Sequence, residues 1–361
     1  MEHRDILLYL NSIYADRSAV YSLFDLNIDL NDIMKMDKAS LKKLNIFKDS
    51  IIDKIIKDDK EAIVYKIKEN LKKLGAYFIT FLDKGFPSRL LFIDDAPYLL
   101  FIKGKIIDED ENSVAIVGAR KSTSYGQLAC KQIAQDLSMR KICIISGLAL
   151  GIDALAHKTA LENNNRTIAV IGNGIDIVYP TRNERLYKEI AEHGAVVSEF
   201  PLGEQPLRFN FPVRNRIISA LSKLVIVIEA QKRSGSLITA RLALEQGRDV
   251  YAVPGNIFSA NSEGCNMLIR DGAGIYTSCD DLIETSSLID NSQNIEREEI
   301  ELSDDERTVY EIINNGDSNY EIILNKSNFD SASLSAILTI LELKGLITSQ
   351  GQRTYYANRR W

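Results

Sequence analysis

Residues 114–122 read VAIVGARKS: four apolar residues, then a glycine turn carrying Arg120 and Lys121. The apolar part is continuous rather than alternating, as expected of a strand covered on both faces. Equivalent runs follow along the chain: ICII (142–145), TIAVI (167–171), AVVS (195–198), LVIVI (224–228) and DVYAV (249–253), with helical stretches between them. Strands alternating with helices at this spacing specify βαβ units and an α/β fold with an open, mostly parallel, doubly wound sheet. Ligands of such sheets bind outside the carboxyl ends of the strands, so the loops after these runs are the candidate site.

Before this region, Tyr77 to Leu82 and Tyr98 to Ile102 are short strand-like runs separated by the break Phe86-Pro87. Residues 1–74 contain no proline and place apolar side chains at helical spacing (Leu41, Leu44, Phe47, Ile51, Ile55), which predicts a small helical domain. The α/β domain is then expected over 75–285. Residues 286–300 are polar and lack a clear apolar period, so they read as a linker. Residues 301–361 carry three helical patterns (about 304–315, 319–325 and 331–344), then LITSQGQRTYYA, a hairpin expected to turn at Gln350-Gly351. Three helices and a hairpin suggest a winged-helix module.

The 361 residues are 45% hydrophobic, enough for a sizeable core. No stretch approaches the ~20 apolar residues of a membrane span, and the first residues, MEHRDILLYL, are charged where a signal peptide would be apolar, so a cytoplasmic location is expected. Cys130, Cys143, Cys265 and Cys279 lie far apart without a CxxC, which suggests neither a zinc site nor a disulfide framework. Net charge is −6, which taken alone argues against a nucleic-acid ligand. Its distribution is uneven: between Arg208 and Arg248 stand eight basic residues (Arg208, Arg214, Arg216, Lys223, Lys232, Arg233, Arg241, Arg248) against Glu229 and Glu245. That segment is where an anionic ligand is expected, the alternative being a solvated charged face.

Five elements at the expected rim carry chemistry. Gly118-Ala119-Arg120 precedes a helix starting near Ser124, whose free N–H groups and dipole favour an anion, with Arg120 adding a forked contact to a phosphate. An arginine in a tight turn is the plainer explanation. Ser146-Gly147-Leu148-Ala149-Leu150-Gly151 is neither GxGxxG nor a lysine-bearing P-loop, yet it can cradle a phosphate with backbone. Asp153 and His157, four apart, could imitate an acid–base pair, but with no nucleophile evident a capping or packing role is the better reading. Gly172-Asn173-Gly174, with Tyr179-Pro180 after it, reads as a structural turn. RFNFPVRNR (208–216) sets Phe209 and Phe211 among cations, and Pro212 should hold it out of helix until about Val213. Aromatics among arginines suit single-stranded nucleic acid, where bases stack and cations hold phosphates; one of the two phenylalanines is expected in the core. Finally Lys232, with Ser234, Gly235, Ser236 and Thr239, forms a turn into a helix near Ser236, able to cap that helix or meet a phosphate.

The runs GARKSTSYG, SGLALGIDALAH, YPTRNERLY, SEFPLG, FPVRNRIISALS, SGSLITARLALEQGRDVYAVPG and EGCNMLIRDGA, in this order over about residues 77–280, resemble the DprA/Smf (DNA processing A) family. The resemblance implies an extended Rossmann-like domain, often preceded by a SAM-like helical domain and followed by a winged helix. It implies a non-catalytic protein without cofactor that binds and protects single-stranded DNA during natural transformation, loads the RecA recombinase and forms a homodimer. Its DNA-contacting arginine falls on Arg120, a basic position on Arg208 and the base-stacking aromatic on Phe211. Arg214, Asn215, Arg216 and the Ser234–Thr239 turn follow. One departure is Phe86-Pro87 where the family has Tyr-Pro.

The main alternative is an enzyme, a nucleotide phosphoribohydrolase of the lysine-decarboxylase-like type. Its PGGxGTxxE loop needs a glutamate, whereas the comparable turn here reads RSGSLITAR, with Ala240 and Arg241. A purely structural partner protein would leave the basic segment 208–248 without purpose. Residues 301–361 hold nine acidic and six basic side chains, a poor balance for phosphate binding, and read as a protein-contact or accessory module.

Overall fold

Valine and isoleucine favour extended, laterally packed backbone, and the apolar runs they dominate are buried along their whole length. Ser113–Val117, Cys143–Ser146, Thr167–Val170, Ala195–Ser198 and Leu224–Val227 contain no residue open to solvent. They are strands of one sheet in a computed structural model that describes residues 1–291, 302–316, 319–344, 346–350 and 354–357. With Ala76–Thr80 (β1) and Leu99–Gly104 (β2) before them they become β3 to β7, and Asp249–Ala252 (β8) and Gly274–Ile275 (β9) complete the sheet. Its order is β1-β2-β6-β5-β4-β3-β7-β8-β9. The pairs from β6 across to β9 are all parallel, while β1 and β2 join antiparallel at one edge. This is the expected Rossmann-like α/β fold, with the strand order reversing between β3 and β7, where such sheets open a crevice.

Six helices precede the sheet: α1 (His3–Ser12), α2 (Arg17–Asp25), α3 (Leu30–Lys35), α4 (Lys38–Leu44), α5 (Asp49–Lys57) and α6 (Lys60–Leu74). Within it run α7 (Ser124–Met139), α8 (Ile152–Glu162), α9 (Glu184–His193), α10 (Asn210–Leu221), α11 (Gly235–Glu245), α12 (Ala260–Arg270) and α13 (Cys279–Thr285). Helix α10 starts three residues before the expected point. Pro212 is its third residue, and the first-turn N–H groups of a helix have no intrahelical acceptor, so the missing donor costs nothing there.

Helices α1–α6 and the sheet form one compact unit, Met1–Ser292. Ile6, Leu10, Leu23, Leu41 and Ile52 share a core with Phe78, Tyr98, Leu99 and Phe101 of the β1–β2 edge. A charged network reinforces the contact. The Glu199 carboxylate, 5% exposed, accepts from Arg216 at 2.6 and 3.0 Å and from Arg17 of α2 at 3.0 Å, and Asp95 accepts from both arginines.

The second unit is Gln293–Trp361. It contains α14 (Asp304–Asn314), α15 (Tyr320–Ser327), α16 (Ser331–Leu343) and the antiparallel pair β10 (Ile347–Gln350) and β11 (Thr354–Ala357), around Val309, Leu334, Leu338, Leu341 and Ile347. Of the expected linker, residues 292–300 lie outside the described residues, as does Gly351 of the expected turn. Among the described residues no helix is long and apolar enough to cross a membrane, and no group of three His, Cys, Asp or Glu could hold a metal ion.

Removing one partner of a buried ion pair leaves an uncompensated charge. Glu199→Ala should therefore lower unfolding stability by about 3 kcal/mol in a denaturant titration, and the Glu199→Ala/Arg216→Ala double variant should lose less than the sum of the singles. Additive losses would show that the two side chains do not interact.

Candidate nucleic-acid interface

Because β3 to β8 are parallel, the loops that leave their carboxyl ends emerge on one rim, and close approaches lock them together. Gly151, at φ +84°, would place a Cβ 2.3 Å from the Ala119 carbonyl and 2.6 Å from that of Arg120. Only glycine lets the loop after β4 press against the loop after β3. The Ile152 N–H then donates to the Ala119 carbonyl (3.2 Å). Arg120 is held here with its side chain in solvent.

Helix α10 reaches the same rim through Arg214. Its guanidinium is buried and donates to the carbonyl of Gly147 (2.7 Å), after β4, and to that of Val170, at the end of β5. A Cβ on Gly147 would stand 2.7 Å from that guanidinium. Burial pulls the Arg214 pKa down to about 10, with Asp153 opposing the shift and Arg120 adding to it, so the group is still a cation at neutral pH. Asp153 accepts from the Gly147 N–H (3.2 Å), and burial raises its pKa against the pull of Arg214.

Phe211, half-buried on the first turn of α10, lies over this arrangement. The guanidinium carbons of Arg120 and Arg214 are 5.6 and 6.0 Å from its ring centroid, within cation–π range. Asn215 is also here: its side-chain amide donates to the Gly235 carbonyl (3.5 Å) at the start of α11, where Ser234 caps the helix by accepting from the Ser236 N–H (3.4 Å). Arg208 is exposed three residues before Phe211, and Lys232 is exposed beside Glu263 (3.8 Å).

Several expected contacts are placed elsewhere. Arg216 is two residues from Arg214, and at 3.6 residues per turn the two project from nearly opposite faces of α10. It is 7% exposed and held by Glu199, away from the trough, so it positions the helix rather than meeting a ligand. Ser146 is fully buried and donates to the Ile116 carbonyl (2.6 Å). Thr239 and Ser236 are buried in α11. The basic tally of 208–248 does not gather at one place either. Lys223 and Arg248 immediately precede β7 and β8, at the amino ends of those strands and hence on the opposite rim, and Arg241 pairs with Glu245 (3.5 Å). A count along the chain cannot show that β7 carries it from one rim to the other.

Asp153 and His157 do not form a pair. His157 bonds through Nδ1 to the Thr167 hydroxyl (2.6 Å), deep in the fold. Neither phenylalanine is in the core: Phe209 is 66% exposed. The sequence reading makes Gly172 and Tyr179 parts of a structural turn and gives them no role at the site. A Cβ on Gly172 would stand 3.0 Å from the Phe211 ring, so this glycine admits the ring, and Tyr179, from the same loop after β5, lies with its centroid 5.8 Å from that of Phe211. An isolated aromatic in a turn has no signal in sequence; only the placement of that turn beside α10 gives it a neighbour.

The matched family model is DNA recombination-mediator protein A, over residues 77–287. The chain belongs to this family, DprA/Smf. It is 48% identical to DNA processing protein DprA of Streptococcus pneumoniae over 217 residues, 60% of this chain and 76% of that one. The X-ray structure of the pneumococcal DprA superposes with a TM-score of 0.68 at 34% identity, covering 80% of this chain and all of the other. A second family member, from Helicobacter pylori, was solved for its unique single-stranded DNA binding mode and is similar at TM-score 0.52 and 29% identity, over 58% of this chain and 94% of that one. The DprA resemblance of the motif runs and the Rossmann-like sheet thus agree with both comparisons.

Burial, and secondarily the charge of Arg214, depresses the His157 pKa from 6.5 to about 3. Its folded pKa lies below the unfolded one, so between about pH 6.5 and 3 the unfolded chain takes up a proton that the folded chain refuses, and stability should fall as pH drops through this window. His157→Gln should flatten that part of the stability–pH curve measured by thermal unfolding. An unchanged slope would assign it to other groups.

Proposed function

We propose that this chain is a single-stranded DNA-binding recombination mediator, working without chemistry of its own. The observation that carries the reading is the cluster of Arg120, Phe211 and Arg214 at one rim of the sheet, a cationic trough with an aromatic ring beside it. Bases of a single strand can lie against such a ring while arginines meet phosphates; a duplex hides its bases and gains only the phosphate term. Arg120, Arg208 and Lys232 are the exposed cations proposed to contact phosphates. The backbone of Gly151 and Ser234–Gly235 is proposed to border the trough, while buried Gly147 and Arg214, with Asn215, hold it together.

From the family we further propose delivery of that strand to a RecA recombinase, homodimerisation through the Rossmann-like domain, and action in the cytoplasm on DNA entering during natural transformation. Helices α14–α16 with their hairpin are proposed to be a winged-helix module whose acidic excess suits a protein contact better than phosphate. The phosphoribohydrolase alternative needs a glutamate in the turn after β7. The glutamate that does follow β7, Glu229, is buried and accepts from the backbone N–H (2.9 Å) and hydroxyl (2.5 Å) of Thr123, while the RSGSLITAR positions comparable to that loop's glutamate are Ala240 and Arg241 in α11.

In a fluorescence-anisotropy titration, a single-stranded oligonucleotide should bind more tightly than the matching duplex, with affinity falling steeply as salt rises. Arg120→Ala should reduce the slope of log affinity against log salt by about 0.7, one phosphate contact on a single strand. Phe211→Ala should weaken binding by about 1–3 kcal/mol and leave the slope nearly unchanged. Equal affinity for single strand and duplex would overturn the reading.

A further inference from the structure

The proposed function uses one aromatic ring, yet the rim carries two in contact. Tyr179 is 40% exposed, and its ring is tilted 35° to that of Phe211 at a centroid separation of 5.8 Å. At this distance the rings touch and leave no slot for a base between them. Both rings are partly exposed, so each offers a panel to a ligand. Tyr179 is also held in place. The Asn173 side-chain amide donates to the Ile177 carbonyl (2.6 Å), the Tyr187 hydroxyl donates to that of Ile175 (2.7 Å), and the Asn183 amide donates to that of Leu148 (2.9 Å) in the loop after β4. This fastens both ends of the turn that carries Tyr179. A loop braced in this way around an exposed ring spends little ordering entropy when a ligand arrives. Gly172 gives the Phe211 ring room, since a Cβ there would stand 3.0 Å from it and force a shift of a few tenths of an ångström.

We infer that Tyr179 and Phe211 together seat two successive bases of a single strand, one on each panel. The rings are too close for a base to enter between them, so each ring takes a separate base on its exposed face. The pair takes any base, since each has a flat face. Arg120 beside Phe211, and exposed Arg182 three residues beyond Tyr179, are placed to meet the phosphates on either side of the pair. The Tyr179 hydroxyl is not needed for this role; the ring is.

This inference rests on the single-strand reading above, and one experiment separates the two. The full-length protein is titrated with a strand of about eight abasic nucleotides, within the footprint of compact single-strand sites, carrying no thymine, one thymine, or two adjacent thymines, so that phosphate contacts stay constant while bases are added. For the unaltered protein each thymine should tighten binding roughly fivefold or more, the lower end of base–aromatic stacking. Tyr179→Ala should keep the first step and lose the second, Phe211→Ala should likewise show one step, and Tyr179→Phe should show both. If Tyr179→Ala retains both steps, or abolishes both by merely releasing Phe211, the two-base platform is overturned while the single-strand site stands. If the unaltered protein shows no step at all, base stacking at this rim is overturned altogether.

Discussion

A buried cation organises the rim. Arg214 lies where the carboxyl ends of β4 and β5 leave carbonyl oxygens without strand partners, and its guanidinium donates to both. A buried charge is costly unless it is hydrogen-bonded and compensated. Here carbonyls and the neighbouring Asp153 compensate it, and Gly147 has no side chain to obstruct it. These bonds tie α10 to the rim, and with it Phe211, three residues before Arg214. The exposed part of that ring inherits its position from a buried residue.

The cations of this region thus divide by burial. Arg214 and Arg216 build, one gripping the sheet rim and the other joining α10 to the amino-terminal helices through Glu199 and Arg17. Arg120 and Arg208 remain in solvent, where a phosphate can exchange for water at little cost. A chain of net charge −6 can offer an anion a favourable surface because the field is local: beyond a Debye length of about 8–10 Å, exposed acids elsewhere are screened.

Rigidity is the second theme of the trough. Gly151 and Gly172 are small because neighbouring backbone and a neighbouring ring occupy the space a Cβ would take, and each contact ties two loops into one surface. Loops braced against each other and against buried strand ends have little freedom left to lose when a ligand arrives.

The fold was readable from residue order because burial on both faces forces strands to be continuously apolar, and the alternation of such runs with helices leaves few topologies. The rim was readable for a related reason: in a parallel sheet all loops after the strands emerge together, so Arg120, Gly147, Gly151 and the α10 segment had to be neighbours. What the chain order could not express was direction. Whether Arg216 points to the trough or to Glu199, and whether Tyr179 meets another ring, depend on how separate segments pack in three dimensions. The helical period of α10 could have separated Arg214 from Arg216 in advance. Nothing local could have paired Tyr179 with Phe211, thirty-two residues away, since their contact exists only once β5 and α10 have docked against each other.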